Sequence, residues 1–104
     1  MNGYAHWLVF SGHARKRMAQ RNIREEDVWF VYRYGRRFYN GDQICFFLGK
    51  RDIPRQYRHS RLARRCEGLV LVVDAFDEST IVTAYHANKR ALKRLRCKPR
   101  YWTR

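Results

Sequence analysis

Leu69-Val-Leu-Val-Val-Asp-Ala-Phe-Asp-Glu-Ser-Thr-Ile-Val-Thr-Ala-Tyr-His86 is the stretch whose reading decides the fold. Leu69 to Val73 are all aliphatic, so they read as a strand covered on both faces; a half-exposed strand would alternate with polar residues. Asp74 to Ser79 forms a turn, and the chain returns from Thr80 to His86 as a β-branched strand. Alternation places Ile81, Thr83 and Tyr85 on one face of that strand and Val82, Ala84 and His86 on the other.

Upstream, Phe38-Tyr39-Asn40-Gly41-Asp42 predicts a hairpin, because Asn-Gly readily takes the two positive φ angles of a type I′ turn. Its second strand, Gln43 to Leu48, is apolar on both faces, with Ile44, Phe46 and Leu48 on one and Cys45 and Phe47 on the other. Between the two strand pairs lies a basic insertion, residues 50–65, with seven Lys or Arg, one Asp and a break at Pro54. A short helix over Tyr57 to Cys66 fits a thin stripe of Tyr57, Leu62 and Cys66.

The sequence before the hairpin reads as two helices. Ser11 caps the first, which runs to about Gln20, and Arg21-Asn22 breaks it. Glu25, Glu26 and Asp27 open the second, where they complement the positive end of the helix dipole, and Val28, Val31 and Tyr32 form its buried stripe. Arg24 is a poor cap, so Asn22 could serve instead with Glu25 closing a capping box; Ile23 can staple onto Val28, and Gly35 is expected to close the helix in a left-handed conformation. After the last strand, Asn88 can cap a final helix. In it Ala91, Leu92 and Leu95 face inward, Lys89, Arg90, Lys93, Arg94 and Arg96 face out, and Pro99 stops it; residues 97–104 form a basic tail. No repeat is visible, and residues 1–104 read as one domain.

Composition narrows the function. In 104 residues, 23 Lys and Arg against 9 Asp and Glu give a formal net charge of +14. The sequence pI of about 10.6 points to a polyanionic partner, with nucleic acid foremost. No basic amphipathic helix with exposed apolar residues or lipid anchor is evident, and Leu69 to Val73 is too short to span a bilayer, so a membrane is not expected. The start of the chain lacks the pattern of a secretory signal, and Cys45, Cys66 and Cys97 are odd in number and widely spaced. A cytoplasmic protein with reduced thiols is expected. No Gly-rich phosphate loop, nucleophile elbow or metal-ligand spacing is present, so neither metal nor cofactor is expected.

His13, Arg17 and Arg21 recur every fourth residue and so share one helical column, beside an apolar column of Ala14 and Met18. Such a column sets a proton carrier beside planar phosphate-binding cations. RNA can be cleaved without metal by a base that activates the 2′-hydroxyl, a cation that stabilises the phosphorane and an acid for the leaving 5′-oxygen. His13, Arg17 or Lys16, and Tyr85 or His86 could fill these roles, with Tyr85 preferred. The alternative is a non-catalytic module that grips RNA or DNA phosphates through Lys16, Arg21, Lys50, Arg51, Arg55, Arg58, Arg61, Lys89 and Arg90, with Tyr57, Tyr101 and Trp102 as stacking surfaces.

The run His13-Ala-x-x-Arg17-Met18-x-x-Arg21-x-Ile23-x-x-Glu26-Asp27-Val28 resembles the opening of an uncharacterised family of small prokaryotic proteins grouped with RelE-like ribonuclease toxins. The strands of 68–74 and 81–85 and the basic ending continue the likeness; Arg24, where the family often has Ser or Thr, departs from it. The resemblance implies an α+β fold, two N-terminal helices on a four-stranded antiparallel sheet followed by a C-terminal helix, and metal-independent RNA cleavage. It implies functional groups in His13 with Arg17 and in Thr83 with Tyr85. RNA is favoured over DNA, and an acidic antitoxin protein or the ribosome is a further expected partner.

Overall fold

The computed structural model describes residues 8–40, 43–77 and 79–87. Leu69–Asp74 forms β4 at the middle of the sheet, with Gln43–Phe47 (β3) and Thr80–His86 (β5) antiparallel on either side. Leu69 to Val73 are all buried, as an unbroken aliphatic run requires. Arg36–Asn40 (β2) pairs with β3 as a hairpin, but the register Asn40↔Gln43 keeps Asn40 in the strand and makes the two-residue connection Gly41-Asp42, one residue later than the Asn40-Gly41 turn expected. Gly41 and Asp42 lie outside the described residues.

The sheet has five strands in the order β1-β5-β4-β3-β2, and it is mixed, which corrects the expectation of four antiparallel strands. The fifth, β1 (Val9–Phe10), runs parallel to β5 with Val9 opposite Thr80 and Phe10 opposite Ile81. Two residues are too few for an alternation signal. What recruits them is the unpaired edge of β5, through bonds from the amide of Val9 to the carbonyl of Ser79 (2.8 Å) and from that of Ser11 to Ile81 (3.2 Å).

One sheet face carries Ile44, Phe46, Leu69, Leu71, Val73, Ile81 and Ala84, and against these pack the helices. The helices are α1 (Gly12–Gln20), α2 (Glu25–Tyr34) and the short α3 (Arg61–Cys66). On the other face Phe38, Cys45, Val70 and Val72 cluster with Phe47, Val82, Tyr85 and Ala87. The strict alternation predicted for β5 fails at one point: a register shift between Val72 and Val73 turns Ile81 to the helical face with Ala84.

The second helix starts after Arg24 as read, and the carboxylate of Asp27 accepts the Arg24 amide at 3.1 Å in place of a side-chain cap. Ile23 and Val28 both enter the core. Gly35 closes the helix in an extended conformation (φ −71°, ψ 161°), not the left-handed one expected. Within the insertion, single 3-10 turns at Lys50–Asp52 and Arg55–Tyr57 precede α3, so the helix expected from Tyr57 begins only at Arg61, where the Ser60 hydroxyl accepts the Ala63 amide. The helix expected from Asn88 and the tail, with Lys89, Arg90, Cys97, Tyr101 and Trp102, lie outside the described residues. No helix among the described residues is long and apolar enough to cross a membrane.

Candidate nucleic-acid interface

The column that begins at His13 is set by a cap and two small anchors. The Ser11 hydroxyl accepts the amide of Ala14 at 3.0 Å and starts α1, while Ala14 and Met18 bury against the sheet. His13, one turn before Arg17, is exposed, as is Lys16. Arg17 is half-buried and donates to Gln20 Oε1 at 3.3 Å. Arg21, just past the helix end, donates to the carbonyl of Ala84 at 2.8 Å. The Ser11 hydroxyl also reaches the carbonyl of Val82 at 3.4 Å. Beyond the two residues of β1, then, α1 continues along the outer edge of β5, and the side chains at its two ends, Ser11 and Arg21, occupy carbonyls that a further strand would have paired.

Thr83 and Tyr85 flank Ala84 and pair with Val72 and Val70, so their side chains stand on the face opposite to that of Ala14 and Met18. Tyr85 is half-buried against the Phe38, Cys45, Val70 and Val72 cluster. The two halves of the predicted constellation thus come from opposite faces of one strand. The link between them passes through the backbone, from the Arg21 side chain to the carbonyl of Ala84, the residue between Thr83 and Tyr85. His86 is opposite Leu69, on the helical side, and exposed.

The insertion turns its cations outward with one exception. Lys50, Arg51, Arg55, Arg58, Arg61 and Arg64 are exposed. Arg65 folds back onto the buried Asp27, donating to Oδ1 from Nε at 3.1 Å and from Nη2 at 2.7 Å, and also reaches Glu26 at 3.2 Å. Asp27 is 3% exposed, so it would be a costly charge without this partner and the Arg24 amide. Beneath the pair, burial pushes the Cys66 thiol up to about 12, with Asp27 adding to the effect, and the thiol donates to the Asp27 carbonyl at 3.6 Å. Cys66 and Cys45 are both buried, and neither is in a disulfide.

Residues 10–86 match the family described as Domain of unknown function (DUF4258). The chain belongs to this family. The match takes in α1 and its column, the basic insertion and β5 through His86, and ends before the basic sequence from Asn88. Comparison with curated proteins gave no match, and comparison with solved structures gave none. Among the described residues, no three His, Cys, Asp or Glu side chains converge as a metal-ligand set.

A second surface was missed by the sequence reading. Trp29 and Arg33, and Phe30 and Tyr34, are pairs four residues apart on α2, beside the expected stripe of Val28, Val31 and Tyr32. Phe30 is buried, whereas Trp29 and Tyr34 are half-buried and line a groove of about 320 Å3 with Tyr57 and Leu62 of the insertion. The signal was an aromatic content on α2 larger than one buried stripe needs.

Proposed function

We propose that this chain is a nucleic-acid-interacting protein that binds RNA and cleaves it without metal, as a RelE-like endoribonuclease. His13 is the base that takes the 2′-hydroxyl proton, so that the oxygen attacks the adjacent phosphorus. Arg17, with Lys16 beside it, stabilises the phosphorane. The Tyr85 hydroxyl protonates the departing 5′-oxygen, and Thr83 orients the phosphate; the products are a 2′,3′-cyclic phosphate and a 5′-hydroxyl end. The reading is supported above all by one contact, the hydrogen bond from Arg21 to the Ala84 carbonyl, which ties the end of the His13 column to the strand edge beside Thr83 and Tyr85. The exposure of His13 leaves the base within reach of substrate.

The second reading is an RNA- or DNA-binding module without catalysis. It is favoured by the occupations already described: Arg21 serves the sheet edge and Tyr85 packs in a core cluster. In either case an acidic antitoxin or ribosomal RNA fits the surplus of positive charge.

A mixed RNA pool incubated with the purified protein and EDTA separates the two. Cleavage to cyclic-phosphate ends is expected, and His13→Ala should slow it by about 10²-fold or more while RNA affinity stays within about twofold. Binding with no cleavage at any salt concentration overturns the nuclease and leaves the binding module.

A further inference from the structure

The groove between α2 and the basic insertion has a floor and walls of aromatic rings. Phe30 forms the floor: the Tyr34 ring centre lies 4.9 Å from it, and Tyr57 meets it edge-on at 5.5 Å with an interplanar angle of 81°. Tyr57 and Tyr34 are 5.8 Å apart, the Arg33 guanidinium sits 5.5 Å over the Tyr34 ring, and Trp29, Leu62 and Glu26 complete the sides, with the Glu26 carboxylate paired to Arg65 at 3.2 Å. The rings are held before any ligand arrives. Hydrogen bonds with the side chains of Gln56 and Tyr34, with the charge of Arg33, lower the pKa of the Tyr57 hydroxyl from its ordinary 10.0.

Each element that supplies the insertion side of this groove also carries exposed cations. Arg55 and Arg58 bracket Tyr57, and Arg61 precedes Leu62. Planar hydrophobic walls beside several guanidinium groups suit a ligand that is flat and apolar on its faces and anionic along its chain. A nucleobase on a ribose-phosphate strand has that pattern, since base–aromatic stacking tolerates any base while the backbone follows positive charge. A duplex has its bases already stacked on one another, and an aromatic side chain of an ordinary peptide would leave the arginines without a role.

We propose that this groove is a nucleobase site, which takes one base splayed from single-stranded RNA while the neighbouring phosphates run over Arg55, Arg58 and Arg61. The proposal rests on the reading that the chain binds RNA, but it uses none of the residues assigned to cleavage. It gives the protein a second contact with the strand, and so a means of choosing unpaired over paired RNA.

The test uses the full chain and a labelled RNA of about ten nucleotides, in three forms: intact, with 2-aminopurine at the centre, and abasic at every position. Binding should change the 2-aminopurine emission, and Tyr57→Ala should weaken the intact RNA about tenfold while leaving the abasic strand unaffected. Tyr57→Leu, which keeps an apolar side chain against Phe30, should lose as much, Tyr57→Trp should recover most of the affinity, and far-UV circular dichroism should be the same for all. If RNA binds with equal affinity to the native chain, Tyr57→Ala and Tyr57→Leu, the base site is overturned and RNA binding stands. If no RNA binds at all, the function proposed above fails first, and the base site with it. If the Tyr57 variants lose affinity for an acidic peptide carrying one phenylalanine and not for RNA, the groove is a peptide site and the proposal is wrong.

Discussion

Between α2 and β2 the backbone approaches itself too closely for a side chain at Gly35. A Cβ there would lie 2.5 Å from the carbonyl oxygen of Val31 and 3.1 Å from that of Phe47, so glycine is required by contact and not by its φ. The left-handed conformation expected at Gly35 is found instead at Gly68 (φ 87°), where the chain turns from α3 into β4. Gly35→Ala should therefore force the helix end from the sheet at a cost of about 1–3 kcal/mol. Gly12→Ala, with nothing within 4 Å of the added carbon, should cost far less. Urea unfolding midpoints of the two variants compare them directly, and equal midpoints would contradict this packing. Arg65 and Arg21 show a related division at single positions. Both are cations in a strongly basic sequence, yet Arg65 neutralises the buried Asp27 and Arg21 serves a sheet-edge carbonyl.

At the scale of elements, α1 is fixed at its start by one hydroxyl that accepts one hydrogen bond and donates another. Ser11 Oγ receives the Ala14 amide and donates toward the Val82 carbonyl, so the same side chain caps the helix and seats it on β5. Ser11→Ala should lower stability by about 1 kcal/mol. Amides of the first turn of α1 should then exchange with solvent faster, while those of β4, buried in the middle of the sheet, keep their protection. Uniform loss of protection in both elements would show that α1 is not a separate unit. The irregularity in β5 acts at the same scale. By turning Ile81 to the helical face with Ala84, it leaves Val82, Thr83 and Tyr85 to the other face. Thr83 and Tyr85 are thereby aligned near the edge that α1 follows.

For the whole molecule, the surplus of fourteen positive charges is organised, not merely abundant. Six of the seven cations of the insertion are exposed, and under the proposed RNA-binding function each phosphate they neutralise would release counterions. RNA affinity should fall steeply as salt rises. Replacing Arg55, Arg58 and Arg61 together with Gln should reduce the slope of log affinity against log salt by about 2, from roughly 0.7 per neutralised phosphate on a single strand. A filter-binding titration over several salt concentrations measures this, and an unchanged slope would place the contact elsewhere. Much of this molecule was determined by local sequence. The aliphatic run of β4, the existence of the β2–β3 hairpin, the Ser11 cap and the placing of His13 and Arg17 one turn apart on α1 depend on side-chain periodicity and turn chemistry, which act over a few residues. Tertiary structure alone decided the rest: the parallel strand Val9–Phe10, the turn of Ile81 to the helical face, the space lacking at Gly35, the choice of Arg65 and Arg21 for internal work, and the meeting of α2 with Tyr57. Each of these depends on which distant segment supplies the partner, and pairing across the chain leaves no period in the residues that take part.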